Sequence, residues 1–173
     1  ARFICDMARR HDGELTLVAV GPLTNLAQAL ALDPALPRHV RRVVVMGGAF
    51  GTLGHGGNVT PVAEANVYCD PHAAAVVFGA AWPVTVVGLD VTHQVLMSSG
   101  YLDALGAEGG AEGRYLRAIT RGYERFHQQR TGGGIYAHDA SAVACALDAS
   151  RFRVQHGALR VATDGLALGQ TIQ

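Results

Sequence analysis

Arg42-Val43-Val44-Val45-Met46, a β-branched run that stops on Gly47-Gly48, is the stretch that decides the fold class. Alternating apolar and polar residues mark a strand with one wet face, whereas an unbroken apolar run marks a strand covered on both faces. Two more runs share this character: Glu14 to Val20 (ELTLVAV), ended by Gly21-Pro22, and Pro83 to Leu89 (PVTVVGL). Helical stretches lie between them. Leu23 to Leu32 has helical periodicity and closes on Asp33-Pro34. Asp70-Pro71 supplies an N-cap and a first-turn proline for a helix to about Gly79. Doubly covered strands joined by helices predict an α/β fold with a mainly parallel sheet and crossover helices.

Outward from this centre, Phe3, Ile4 and Met7 fall on one face of an N-terminal amphipathic helix. Ser98 and Ser99 cap a short helix through Ala107, and Gly106 to Gly113 reads as a loop. Arg114 to Arg130 predicts a long surface helix with Leu116, Ile119, Tyr123 and Phe126 on one stripe, broken by Gly132-Gly133-Gly134. His138 to Leu147 is helical, Phe152 to Val161 holds strand-like stretches, and Gly169 to Gln173 looks like a strand cut short.

Composition narrows the function. Apolar residues make up 49% of the 173, enough to bury a core. Fourteen basic residues, all Arg, balance fourteen acidic ones, so there is no basic excess for nucleic acid or an anionic membrane surface. No apolar run approaches the roughly 18 residues of a membrane helix. Cys5, Cys69 and Cys145 are odd in number and widely spaced, which suits neither a disulfide framework nor zinc. With no signal-peptide pattern, a reducing cytoplasm is the expectation.

Ligands of parallel sheets gather at the carboxyl ends of the strands. Three rims are expected there: Gly21-Pro-Leu-Thr-Asn25, the loop from Met46-Gly-Gly48 to Asn58-Val-Thr60, and Asp90-Val-Thr-His-Gln94. In the second, the amides and carboxylate of Asn58, Glu64 and Asn66 suit the hydroxyls of a sugar-like ligand, and the glycines admit close backbone approach. The other reading is an irregular loop whose Asn and Asp side chains cap its own turns. Tyr136-Ala-His138-Asp139 likewise has two readings, a helix cap or a metal ligand beside a proton donor. Gly47-Gly48-Ala49 is no P-loop, and no GxSxG elbow occurs.

Six motifs then occur in order: Leu17-Val-Ala-Val-Gly-Pro-Leu-Thr-Asn25, Val45-Met-Gly-Gly-Ala49, Gly57-Asn-Val-Thr-Pro-Val-Ala-Glu-Ala-Asn66, Asp70-Pro71, Val87-Gly-Leu-Asp-Val-Thr-His-Gln94 and His138-Asp139. Together they resemble the inosine/uridine-preferring nucleoside hydrolase family over about residues 1 to 165. The resemblance implies calcium-dependent hydrolysis of the N-glycosidic bond of ribonucleosides to base and ribose, a role in purine or pyrimidine salvage, and a dimer or tetramer. By position it implies that Asp139 and the Val20 carbonyl are calcium ligands. Asn58, Glu64 and Asn66 resemble the ribose contacts, Met46 a pocket wall, and His138 the proton donor near the leaving base.

The family's Asp-rich DxDxGxDD signature is absent from these 173 residues. The resemblance assigns to it most calcium ligands and the base that activates water. The expectation is therefore a single partial domain over 1–173, lacking its N-terminal part and C-terminal end. Alone it would bind calcium poorly and turn nothing over. A non-catalytic nucleoside- or ribose-binding module, or an inactive remnant, stands as the alternative.

Overall fold

The computed structural model describes residues 1–173, apart from the side chain at position 130. In chain order its helices and strands are α1 (Arg2–Arg10), β1 (Leu15–Ala19), α2 (Thr24–Leu32), α3 (Leu36–His39), β2 (Val40–Met46), α4 (Ala65–Cys69), α5 (Pro71–Gly79) and β3 (Val84–Val87). There follow α6 (Leu89–Thr92), β4 (Leu96–Met97), α7 (Ser99–Glu108), α8 (Gly110–Thr131), β5 (Ile135–Tyr136), α9 (His138–Leu147), β6 (Arg160–Val161) and β7 (Thr171–Ile172). They form two units, Ala1–Val91 with Asp139–Gln173, and Thr92–His138.

In the larger unit β1, β2 and β3 make a parallel sheet in that order. The valines of β2 alternate between its two faces. Val43 and Val45 join a core with Leu26 and Ala29 of α2, Ala74 and Val77 of α5, and Cys5 and Ala8 of α1. Val44 and Met46 join a second core with Val87, Leu89 and, from α9, Ala142 and Cys145. Both faces of β2 are covered, which is why its sequence shows no polar alternation. Each buried valine contributes roughly 1.5–3 kcal/mol relative to exposure.

Local chemistry sets the helix ends. Pro71 opens α5, and Asp70 caps it by accepting the Ala73 N–H at 3.0 Å. Asp70 also accepts from the Thr24 hydroxyl at 2.5 Å, pinning the start of α2. These two donors, the hydroxyl foremost, hold the Asp70 carboxyl below its ordinary value. All three cysteines are free thiols.

In the smaller unit β4 and β5 pair antiparallel, and α7 and α8 form a hairpin. Ser98 caps α7 as expected, accepting from the Tyr101 N–H. The expected loop over 106–113 is instead the end of α7, a break at Gly109 and the first turn of α8. A Cβ on Gly113 would lie 2.1 Å from the Leu105 carbonyl oxygen, and one on Gly106 2.9 Å from the Arg117 side chain. Glycines that read as helix breakers are the places where two helices touch. The α8 stripe of Leu116, Ile119, Tyr123 and Phe126 is exposed, Phe126 by 82%.

The strand-like stretch 152–161 is also corrected. Only Arg160–Val161 is strand, paired with β7, because Arg153, Gln155 and His156 are exposed and offer no apolar face to a partner. Among the described residues no helix is long and apolar enough to cross a membrane.

Candidate functional site

Strand register puts the carboxyl ends of the sheet side by side. Ala19 pairs with Val45, and Met46 with Val87, so Val20 and Gly47 both leave the sheet on the same rim. Val20 is exposed there. Beyond Met46 the chain turns on Gly48, whose φ of +79° suits glycine and strains other residues.

The turn has little side chain to pack, and three side chains from distant elements take its N–H groups. Gly48 donates to Glu64 Oε2 at 3.0 Å. Ala49 donates to the Thr171 hydroxyl at 2.9 Å, and that hydroxyl donates back to the Ala49 carbonyl at 2.8 Å. Phe50 donates to Asp90 Oδ2 at 2.8 Å, and Thr52 to Asp90 Oδ1 at 2.7 Å. Glu64, Asp90 and Thr171 are all buried. Sequence reading gave Glu64 only as a sugar contact and gave no role to Asp90 or Thr171. Asp90 stood in an expected rim, but nothing in the sequence aims Thr171 at residue 49.

Glu64 also caps α4, accepting from Asn66 N at 2.9 Å and Val67 N at 3.1 Å. Its carboxylate thus holds three backbone N–H groups. Asn66 donates through Nδ2 to the Met46 carbonyl at 3.1 Å and to the Met46 sulfur at 3.4 Å. Asn58 Oδ1 accepts from Ala65 N at 2.9 Å, and Thr60 turns the loop by accepting from Ala63 N. Met46, Asn58, Glu64 and Asn66 are therefore gathered on one rim, and the loop caps its own turns in the act of gathering them.

Asp139 stands in the first turn of α9, and Ala142, three residues on, packs in the same apolar cluster as Met46. The helix thus sets Asp139 one turn from the Met46 packing. Its side chain is exposed at the surface, yet crowding strips part of its solvation and pushes its carboxyl up.

His138 closes the smaller unit. Its Nδ1 lies 2.7 Å from the hydroxyl of Thr92, a residue with no exposure. Its ring meets His93 edge-on at 5.5 Å and Tyr136 at 5.8 Å. Burial, with smaller repulsion from His93 and His127, pushes the imidazole down to about 4. The ring is neutral at pH 7, with one N–H to give. Thr92 was missed by sequence reading, which had no means to pair it with a residue 46 positions away.

Among the described residues no group of three or more His, Cys, Asp or Glu side chains could hold a metal ion. Asp139 and the Val20 carbonyl offer two oxygens against the roughly six to eight that calcium takes. By themselves the donors of this chain do not fit a calcium site.

A family model described as inosine-uridine preferring nucleoside hydrolase matches residues 1–173. The chain is 39% identical over 171 residues to a probable uridine nucleosidase 2 of Arabidopsis thaliana, covering 98% of this chain and 52% of that one. It is 34% identical over 173 residues to the pyrimidine-specific ribonucleoside hydrolase RihB of Escherichia coli, covering 99% and 54%. Among solved structures, a plant nucleoside hydrolase superposes with a TM-score of 0.93 at 38% identity, covering 98% of this chain and 53% of that one. A purine-preferring ribonucleoside hydrolase from Gardnerella vaginalis gives 0.92 at 34%, covering 99% and 54%. The chain spans about half the length of these relatives.

Proposed function

The chain belongs to the inosine-uridine preferring nucleoside hydrolase family, and from that premise we propose that the protein it forms hydrolyses the N-glycosidic bond of ribonucleosides to free base and ribose. The observation that carries the reading is the rim at the end of β2, where Glu64 and Asn66 are locked against Met46 and the following turn.

Cleavage of this bond develops an oxocarbenium-like sugar, and holding the ribose by its hydroxyls aligns it for attack. With its N–H groups committed to Met46, Asn66 has Oδ1 as the atom we assign to a ribose hydroxyl. A carboxylate has about four acceptor positions. Glu64 gives three to backbone and has one for the sugar. Asn58, whose Oδ1 is taken by Ala65, would donate through Nδ2. The Asp139 carboxylate supplies negative charge toward the developing cation.

His138 is assigned to the leaving base. A neutral imidazole donates a hydrogen bond rather than a full proton. When the Thr92 hydroxyl donates to Nδ1, the ring proton sits on Nε2, the position suited to a base nitrogen. Calcium dependence belongs to the same proposal and is supported by family membership. Base preference is left open by the relatives, since one is named pyrimidine-specific and another purine-preferring at the same 34% identity. A role in salvage, a dimeric or tetrameric state and a cytoplasmic site are proposals of the same standing, as is the reading of 1–173 as part of a single hydrolase domain.

The test is release of reducing sugar from inosine and uridine by the complete gene product, with and without a strong calcium chelator. Turnover abolished by the chelator and restored by calcium supports both parts. Turnover indifferent to the chelator removes calcium, and nucleoside binding without turnover leaves a binding module.

A further inference from the structure

Three residues far apart in sequence, Glu64, Asp90 and Thr171, converge on one turn and between them accept its N–H groups at 48, 49, 50 and 52. Gly47, Gly48 and Gly51 of this turn carry no side chain, which leaves Ala49 and Phe50 as its only packing groups between 47 and 51. The glycines are also what let the clamps approach. A Cβ on Gly48 would meet the Thr171 methyl at 2.9 Å, and one on Gly88 would lie 3.0 Å from the Gly48 carbonyl and 3.3 Å from Asp90 Oδ2. Gly48 O in turn accepts the Leu89 N–H at 2.9 Å, tying the turn to the end of β3 beside Asp90.

We infer that Asp90 and Thr171 are positioning residues for the sugar end of the site. By holding Ala49, Phe50 and Thr52 they fix the turn that leaves Met46, and so fix the carbonyl on which Asn66 is set. The inference rests on the hydrolase reading for its catalytic consequence, but not for the clamp itself. The two side chains divide the work. Asp90 uses both oxygens as acceptors, so an amide there would aim its NH2 at a backbone N–H. Thr171 uses a single hydroxyl twice, as acceptor and donor, which a methyl of the same shape cannot do.

The experiment compares Thr171→Val, Thr171→Ser and Asp90→Asn with wild type in the complete gene product. It measures kcat and KM on inosine and uridine, together with amide hydrogen exchange at residues 48–52. Thr171→Val should lower kcat by about 10- to 100-fold, the scale of small misplacements of a catalytic geometry. KM should change less. Exchange at Ala49 should quicken, and Thr171→Ser should restore both. Asp90→Asn should act in the same direction on Phe50 and Thr52. Unchanged kcat in a Thr171→Val protein whose Ala49 exchange has quickened overturns the positioning role, as does a loss that serine fails to restore. If wild type hydrolyses neither nucleoside, the hydrolase reading fails. The exchange data then still decide the clamp, since unaltered exchange at 48–52 in Thr171→Val contradicts it.

Discussion

The two units use their polar side chains in opposite ways. Around the turn after β2 they serve the backbone: Glu64, Asp90 and Thr171 are buried, and each accepts main-chain N–H groups. In the α7–α8 hairpin they serve one another. Arg117 donates to Asp103 and to Glu124 at 2.6 Å each, and Glu124 also accepts from the Ser99 hydroxyl. A buried acceptor of backbone N–H groups fixes where the chain runs, and losing it strands donors away from water. A side-chain network holds two helices together, and only its Asp103 end is exposed enough for salt to screen, since the Arg117 and Glu124 side chains are largely covered. The first arrangement suits a fixed set of atoms such as a ribose. The second ties one helix to the next through charged side chains.

The comparison breaks most visibly at Asp139. In the complete gene product Asp139→Ala should cut kcat by about 10³-fold, the scale of removing a preorganised charge from a developing one. Wild-type turnover would show that Asp139 only begins α9. His138→Ala comes next, with a loss on the order of 10²-fold or more on nucleosides. A nitrophenyl riboside, whose leaving group needs no hydrogen, should be nearly spared. Equal losses on both substrates would reject the role at the base.

How far this was legible in the sequence follows from the same contrast. The parallel sheet was readable because Val43, Val44 and Val45 are apolar on successive positions, and only two covered faces require that. Asp70-Pro71 was readable because a cap acts within three residues. Asn58, Glu64 and Asn66 were readable as a group because they lie within nine residues of one another, whereas Met46, at the end of β2, entered only through the family resemblance. Asp90, Thr92 and Thr171 were not, since their partners lie 38 to 122 residues away and come into reach only through the parallel sheet, the β4–β5 pairing and the β6–β7 pairing. Gly106, Gly109 and Gly113 misled for a related reason. Glycine has the same local signature in a loop as at a helix contact, and only the neighbouring helix distinguishes them.

Stability sharpens the comparison at smaller amplitude. Glu64→Leu strands the N–H groups of Gly48, Asn66 and Val67 and should destabilise the protein by about 3 kcal/mol or more in denaturant melts. A cost below 1 kcal/mol would mean the turn is held by something else. Asp70→Ala should cost about 1 kcal/mol at pH 7, as for other N-caps. The native Asp70 carboxyl lies below its ordinary 3.8, so its contribution is full above that value and fades as pH falls further. Wild type and variant should therefore converge in acid, and a gap that persists there would assign the effect to shape rather than charge. Smallest of all, Asp103→Asn should lower stability only slightly and chiefly at low salt, because Asp103 is the exposed end of the network.

In the proposed hydrolase the rim of Met46, Glu64 and Asn66 would grip the sugar, whatever base it carries. The most direct measurement is kcat/KM of Asn66→Ala in the complete gene product, on inosine and on uridine side by side. A sugar contact predicts the same fold-loss on both, with kcat falling as well as affinity. A loss confined to one nucleoside would place Asn66 against the base and contradict the account.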